Sequence, residues 1–456
     1  MSVPIATPSA TPVASPVPPQ NTAVNTASVV QQASATAAAA AVNKKNTPAA
    51  LLAQLEDSIV AGNIPQIVLS MITYATNVGS SDIHIEPLEG VVRIRFRVDG
   101  VLRVLIEYPT NIHPAIVSRV KIMSGMKIDE QRIPQDGRMQ TVTQDGRNLD
   151  LRVSTLPTVN GEKIVMRIQD KSKTIPDLPD LGIEGENLKK MERFTKLPNG
   201  VILVSGPTGS GKTNTLYSTL NRLNQVGVNI MTFEDPVEYQ MDGLNQSQVK
   251  PEIDYSFAYG LRTALRQDPD IIMVGEIRDQ ETIEIGIRAA LTGHLVLSTI
   301  HTNSAVSSLT RILDMGVKPF LITASIRGII AQRLVRKICS DCKETYQPEA
   351  AILQDIKTEL SKVPQGQLDP ELLTNITLTK GKGCAKCGDT GTAGRIGIFE
   401  IMEMDRELSA LLIKGASEEE LVETAQKNGM ISLKQDGYIK ALHGIIPIEE
   451  VYRVAQ

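Results

Sequence analysis

The chain has 456 residues, a formal net charge of -4, 41% hydrophobic and 21% charged residues, and four cysteines. That length predicts two or three domains, and the ordinary balance of apolar and charged residues fits a soluble globular protein. No global basic surplus points to nucleic acid, no apolar run reaches transmembrane length, and no charged start with an apolar core marks a secretory signal. The cysteines then read as metal ligands in a cytoplasmic protein rather than as disulfides. Aromatic residues make up only 3% and Trp is absent, which argues against a platform for stacking bases.

Residues 1–50 are rich in Ala, Pro, Thr, Ser, Val and Gln, with six prolines in the first twenty positions. Such a segment has little to bury and is expected to be a disordered tail. Order is expected from about Ala50. Leu51, Leu55 and Ile59 recur at helical spacing, and a second helix is predicted over Ile64–Asn77. Strands are predicted at Ser81–Glu86, Val91–Val98, Val101–Ile106, Leu149–Ser154 and Glu162–Arg167. A helix is predicted around Ala115–Met123. Asp99-Gly100, Asp136-Gly137 and Asp145-Gly146 read as turns. This makes 51–170 a small α/β domain. Residues 171–180, with Pro176 and Pro179, read as a linker.

Residues 181–336 alternate strand and helix patterns, as an α/β domain with a parallel sheet does. Val201-Ile202-Leu203-Val204 is a buried-strand pattern. It runs into Gly206-Pro207-Thr208-Gly209-Ser210-Gly211-Lys212-Thr213, which satisfies G-x-x-x-x-G-K-[ST] at every fixed position, and a helix follows from Asn214. The glycines let backbone N–H groups curl round an anion, and the helix N-terminus adds positive potential there. Lys212 can reach the β- and γ-phosphates of ATP, and the Thr213 hydroxyl can ligate Mg²⁺.

Three further stretches bear on phosphate chemistry. Ile271–Val274 ends in Gly275-Glu276, an acid placed to sit beside Mg²⁺ and the attacking water. Thr232–Tyr239 carries Glu234, Asp235 and Glu238 after a strand; Glu234 can orient water or hold Mg²⁺ through water. Gly293–Asn303 is a strand flanked by His294 and His301, two of only five histidines, and both are candidates for phosphate contact. Cys339-x-x-Cys342 and Cys384-x-x-Cys387 have metal-knuckle spacing, and four thiolates suit structural Zn²⁺. Arg333, Arg336, Lys337 and Lys343 nearby would favour thiolate. Residues 337–397 otherwise read as irregular, and 398–456 as helical, with helices near Leu408–Ile413, Ser417–Asn428 and Ser432–Leu442.

The GPTGSGKT loop, the TFEDPVEY box, LRQDPDIIMVGEIRD and GHLVLSTIHTN occur in an order that resembles the secretion ATPase superfamily. More narrowly, with SDIHIEP, RFRVDGVLR, QDGR and LRVSTLPTVNGEKIVMRI, the chain resembles the type II secretion and type IV pilus assembly ATPases over about residues 55–450. The resemblance implies a RecA-like P-loop NTPase domain preceded by a PAS-like α/β domain, with a tetracysteine zinc-binding insertion and C-terminal helices. It implies a homohexameric motor that hydrolyses ATP with Mg²⁺ to power pilus or pseudopilus assembly. The motor would lie in the cytoplasm, held peripherally to the inner face of the membrane by a platform protein. Arg152 and Arg167 match the family's arginine fingers, and Arg138 is a further candidate. The long interval between the cysteine pairs resembles the assembly branch. A large N-terminal domain of many members is replaced here by the Ala/Pro tail. An ATPase of DNA uptake or conjugation, and a non-hydrolysing nucleotide-binding scaffold, are the competing readings.

Overall fold

The computed structural model describes residues 47–143, 145–170, 174–364 and 366–455. The expected tail lies outside these up to residue 46. The first described residue, Thr47, accepts from the Ala50 N–H through its hydroxyl at 3.3 Å and caps the helix Pro48–Val60.

The first domain is one antiparallel sheet of six strands: β1 (Ser80–Pro87), β2 (Val91–Val98), β3 (Val101–Pro109), β4 (Gln135–Val142), β5 (Asn148–Thr158) and β6 (Gly161–Asp170), in the order β3-β2-β1-β6-β5-β4. Alternation sorts its side chains. Ile83, Ile85, Ile94, Phe96, Leu151, Val153, Ile164 and Met166 face a core completed by helices Pro48–Val60, Ile64–Asn77 and His113–Met123. The opposite face carries Asp82, His84, Glu86, Arg95, Arg97, Arg152 and Arg167. One expectation fails here. Asp136-Gly137 is not a turn but part of β4, paired with Ser154 and Val153. Gly137 is needed for close approach: a Cβ there would lie 2.4 Å from the Ser124 carbonyl oxygen.

The second domain is built on a seven-stranded sheet: β7 (Gly200–Ser205), β8 (Ile230–Glu234), β9 (Asn245–Gln248), β10 (Ile271–Val274), β11 (Leu295–Ile300), β12 (Ile326–Ile338) and, after two short strands, β15 (Thr392–Glu403). The order is β15-β12-β7-β11-β10-β8-β9, and every pairing except β12–β15 is parallel. The core strands are buried along their length, so they read as apolar runs rather than alternating ones. The stretch from Phe399 is not helical at first: it continues β15 to Glu403, and the helices begin at Arg406.

The cysteine-bearing segment is less irregular than expected. It holds β13 (Lys343–Tyr346) paired with β14 (Leu378–Gly381), and a helix over Ala350–Leu360. The β12–β15 hairpin crosses both edges of this segment, so it is rooted in the second sheet. Among the described residues the two domains touch at Gln169, at the end of β6, which donates to Glu238, and at Asp99 of the β2–β3 hairpin, which accepts from the Gly394 N–H at 2.9 Å and faces Arg395 at 3.9 Å. Among the described residues no helix is long and apolar enough to cross a membrane.

Candidate active site and metal centre

β7 delivers the chain into Gly206–Gly211, and the helix Lys212–Leu223 leaves it. Two backbone facts explain the glycines. Gly211 caps the helix at φ +92°, a left-handed conformation. Gly206, at φ +147°, has room for no Cβ: one would lie 2.5 Å from Ser210 Oγ and 2.7 Å from the Gln332 carbonyl oxygen. Lys212 is folded onto the loop and donates to the Gly206 and Pro207 carbonyls at 2.7 and 3.2 Å. Burial holds its ammonium below its usual range, while Glu276 acts in the opposite sense. Ser210 Oγ is buried and has no hydrogen-bond partner among the described residues. A buried hydroxyl, a lysine held only by loop carbonyls and a left-handed glycine at a helix N-terminus together suit the phosphates of a nucleotide. Thr213 and Asn214 start the helix; Asn214 Oδ1 accepts from Tyr239 at 3.2 Å.

Glu276 and His301 meet at the carboxyl edge of the same sheet, after β10 and β11. Glu276 Oε2 lies 3.4 Å from His301 Nε2, and its other oxygen accepts from Arg278 at 2.6 Å. They line a cavity of about 310 Å³ with Arg311 and Met315. Burial first, then the Lys212 charge, draws the His301 imidazole below its ordinary value. Lys212, Glu276 and His301 therefore share one electrostatic neighbourhood.

Glu234 is placed differently. It is 3% exposed, and both oxygens are taken: Oε1 by Thr232 at 2.5 Å and Gln246 at 3.1 Å, Oε2 by Tyr217. His294 is not brought to the site. It precedes β11, about 23 Å from His301 at about 3.3 Å per residue, and its Nδ1 faces the Ala289 carbonyl at 2.8 Å. A histidine at each end of a fully extended strand cannot serve one pocket.

Arg152 and Arg167 pair directly across β5 and β6, and Arg138 of β4 lies beside Arg152. Asp82 of β1 continues the row opposite Arg167, and Arg97 of β2 lies beyond it. Asp82 binds Arg167 at 3.1 Å and Arg97 at 3.5 Å. These arginines, except Arg97, line a cavity of about 560 Å³ with Asp136 and Ser154. It shares no residue with the cavity at Glu276 and His301.

The four cysteines converge. Their sulfurs lie within 4.8 Å of one another, with Cys339–Cys384 at 3.8 Å, Cys342–Cys387 at 3.9 Å and Cys384–Cys387 at 3.7 Å. Tetrahedral ligands on Zn–S bonds of about 2.3 Å stand about 3.8 Å apart, so the set fits a metal ion. Burial would raise the Cys387 thiol, but the Cys384 and Gly391 N–H groups on its sulfur bring it down to about 6. Burial pushes Cys342 up to about 12. The cations expected beside the thiols are mostly engaged elsewhere: Arg336 binds Glu450 at 2.6 Å, Arg333 binds Asn303, and Lys343 donates to the Gly444 carbonyl. Lys386, inside the second knuckle, is the cation whose charge reaches Cys339 and Cys384.

The sequence reading passed over Arg278 and Gln332. Arg278 stands two residues from Glu276, which was signal enough. Gln332 sits in an apolar run with no motif, yet its side chain is 2% exposed and touches the loop.

A sequence model of the family described as type II/IV secretion system protein matches residues 57–453. The type II secretion system ATPase E of Vibrio cholerae is 46% identical over 393 residues, 86% of this chain and 75% of that protein. The type IV pilus assembly ATPase PilB of Myxococcus xanthus is 46% identical over 374 residues, 82% of this chain and 64% of that protein. Among solved structures, the pilus retraction motor PilT with bound ADP superposes with a TM-score of 0.56 at 25% identity, over 85% of this chain and 96% of that one. The ATPase DotB of Legionella pneumophila gives 0.61 at 20% identity, over 86% and 95%, a likeness of fold alone. The chain belongs to the type II/IV secretion system protein family as one of its ATPases.

Proposed function

We propose that the chain is the motor of a type IV pilus or type II secretion system, working as a homohexamer against an inner-membrane platform protein at the cytoplasmic face. The observation that carries the reading is the meeting of Lys212, Glu276 and His301 at one edge of the parallel sheet. The 206–211 loop and Lys212 bind the phosphates of ATP. Thr213 would hold Mg²⁺, which would supply positive charge to the phosphates. Glu276 orients water for attack on the γ-phosphorus. His301, its pKa lowered by partial burial and by the Lys212 charge, faces Glu276 and the phosphate. Glu234, with both oxygens engaged, supports the strand rather than the water. Arg152 and Arg167 supply transition-state charge from the first domain. The four cysteines hold one Zn²⁺ that folds the 337–397 segment.

The test is phosphate release by Glu276→Gln. The variant should bind ATP like the parent and release phosphate at least about a hundredfold more slowly. Turnover near the parent rate would remove Glu276 from its role.

A further inference from the structure

We propose that two neighbouring residues of β12, Gln332 and Arg333, are positioning residues for this hydrolysis, one for each half of the nucleotide site. The inference rests on the reading above. Consecutive strand residues point to opposite faces, and β12 leaves its pairing with β7 at Ala331–Ser205, just where the phosphate loop begins. Gln332 turns to the loop. Its Nε2 donates to the Ser210 carbonyl at 2.8 Å, and its Oε1 accepts from Thr215 Oγ1 at 2.7 Å. Its own carbonyl oxygen lies where a Cβ on Gly206 would fall. The buried side-chain amide thus ties the Ser210 end of the loop to the helix that follows it, while the main-chain carbonyl of the same residue packs against the loop's start at Gly206.

Arg333 turns to the other side. Its Nη2 donates to the Asn303 carbonyl at 2.8 Å, two residues beyond His301, and its Nη1 donates to the Gln332 carbonyl at 3.1 Å. On β15, Glu400 accepts from the Ala305 N–H at 2.8 Å and fixes the start of the helix Ala305–Asp314. The His301–Ser304 loop is therefore held from both strands of the hairpin. His301 faces Glu276 only while that loop keeps its place.

The test uses the full chain with Gln332→Met, Gln332→Glu, Arg333→Met and Arg333→Lys. The readouts are binding of a fluorescent ADP analogue with Mg²⁺, kcat and KM for ATP, and amide hydrogen exchange over 206–213 and 301–305. Gln332→Met should weaken analogue binding about tenfold and speed exchange in 206–213 only. Arg333→Met should lower kcat about tenfold with binding within about twofold, and speed exchange in 301–305 only. Arg333→Lys should recover more than half of kcat. If Gln332→Met does not fold, Gln332→Glu carries the binding readout, because it keeps the acceptor for Thr215 and loses the donor to Ser210. Parent-like binding by the Gln332 variants would overturn the proposal. So would exchange rising in both segments for either variant, the mark of general core damage. A parent protein that binds the analogue and hydrolyses nothing would sink the functional reading, while binding and exchange would still judge Gln332 and Arg333.

Discussion

Beside the phosphate loop Thr215, Gln332 and Glu234 are buried and paired, at 1%, 2% and 3% exposed, and among the described residues Ser210 Oγ is the loop hydroxyl buried without a partner. On the first domain's sheet, the Arg167 side chain is 67% exposed and leans on Asp82. Buried, fully satisfied networks hold one geometry, because every rearrangement strands a polar group away from water. Arg167 is the exposed half of its pair, and buried Asp82 keeps Arg97 at 3.5 Å when Arg167 leaves, so this arginine changes partners at small cost. The phosphate side is built to stay in place and the arginine side to be moved. That division suits a machine in which a charged group must arrive at the nucleotide from elsewhere.

The comparison can be broken at its rigid end first. Lys212→Ala should weaken ATP binding about a hundredfold or more, since the phosphates lose their nearest cation. Equilibrium binding of labelled ATP checks this, and parent-like affinity would deny the loop its role. At the mobile end, Arg167→Ala should leave ATP affinity within about threefold and cut kcat by a hundredfold or more, since a finger acts on the transition state. A matched loss in affinity would place Arg167 in ground-state binding instead.

Metal removal sharpens the contrast. Cys339→Ser with Cys342→Ser should release about one zinc per chain and expose 337–397 to limited proteolysis, with ADP binding at the loop within about twofold. Elemental analysis and digestion read the two effects. The smallest effect concerns acid. Burial would raise the Glu86 carboxyl, but hydrogen bonds from Arg95 and Lys163 bring it from 4.5 down to about 2. Because its folded pKa is depressed, its stabilisation is present above about pH 4.5 and is lost as pH falls towards 2. Glu86→Gln should flatten that part of the acid-unfolding curve for the first domain, followed by circular dichroism.

What the sequence made legible follows a physical pattern. Exposed-face strands alternate, and Val91–Val98 was found with its bounds intact. The phosphate loop announces itself because its chemistry forces residue types at fixed spacing. β15 was hidden because Ile396–Met402 is buried almost without break, leaving no period to separate strand from helix. Asp136-Gly137 looked like a turn because a glycine placed for close packing is spelled like one placed for left-handed φ. His294 and His301 looked alike because sequence distance says nothing of which end of a strand each occupies. Gln332 was invisible because its importance lies in a partner 122 positions away.

β12 is a tie-beam. From Gly328 to Ala331 it is paired with both β7 and β15; from Gln332 to Ile338 its strand partner is β15, and the C-terminal helices brace it, Glu450 holding Arg336 at 2.6 Å and the Ile445 carbonyl accepting from the Ile338 N–H at 2.9 Å. The near end of that second stretch touches the phosphate loop, and its far end hands over to Cys339, about 23 Å away at about 3.3 Å per residue. The strand therefore ties the nucleotide loop to the cysteine knuckles and the C-terminal helices, so that all three stand on one braced rod.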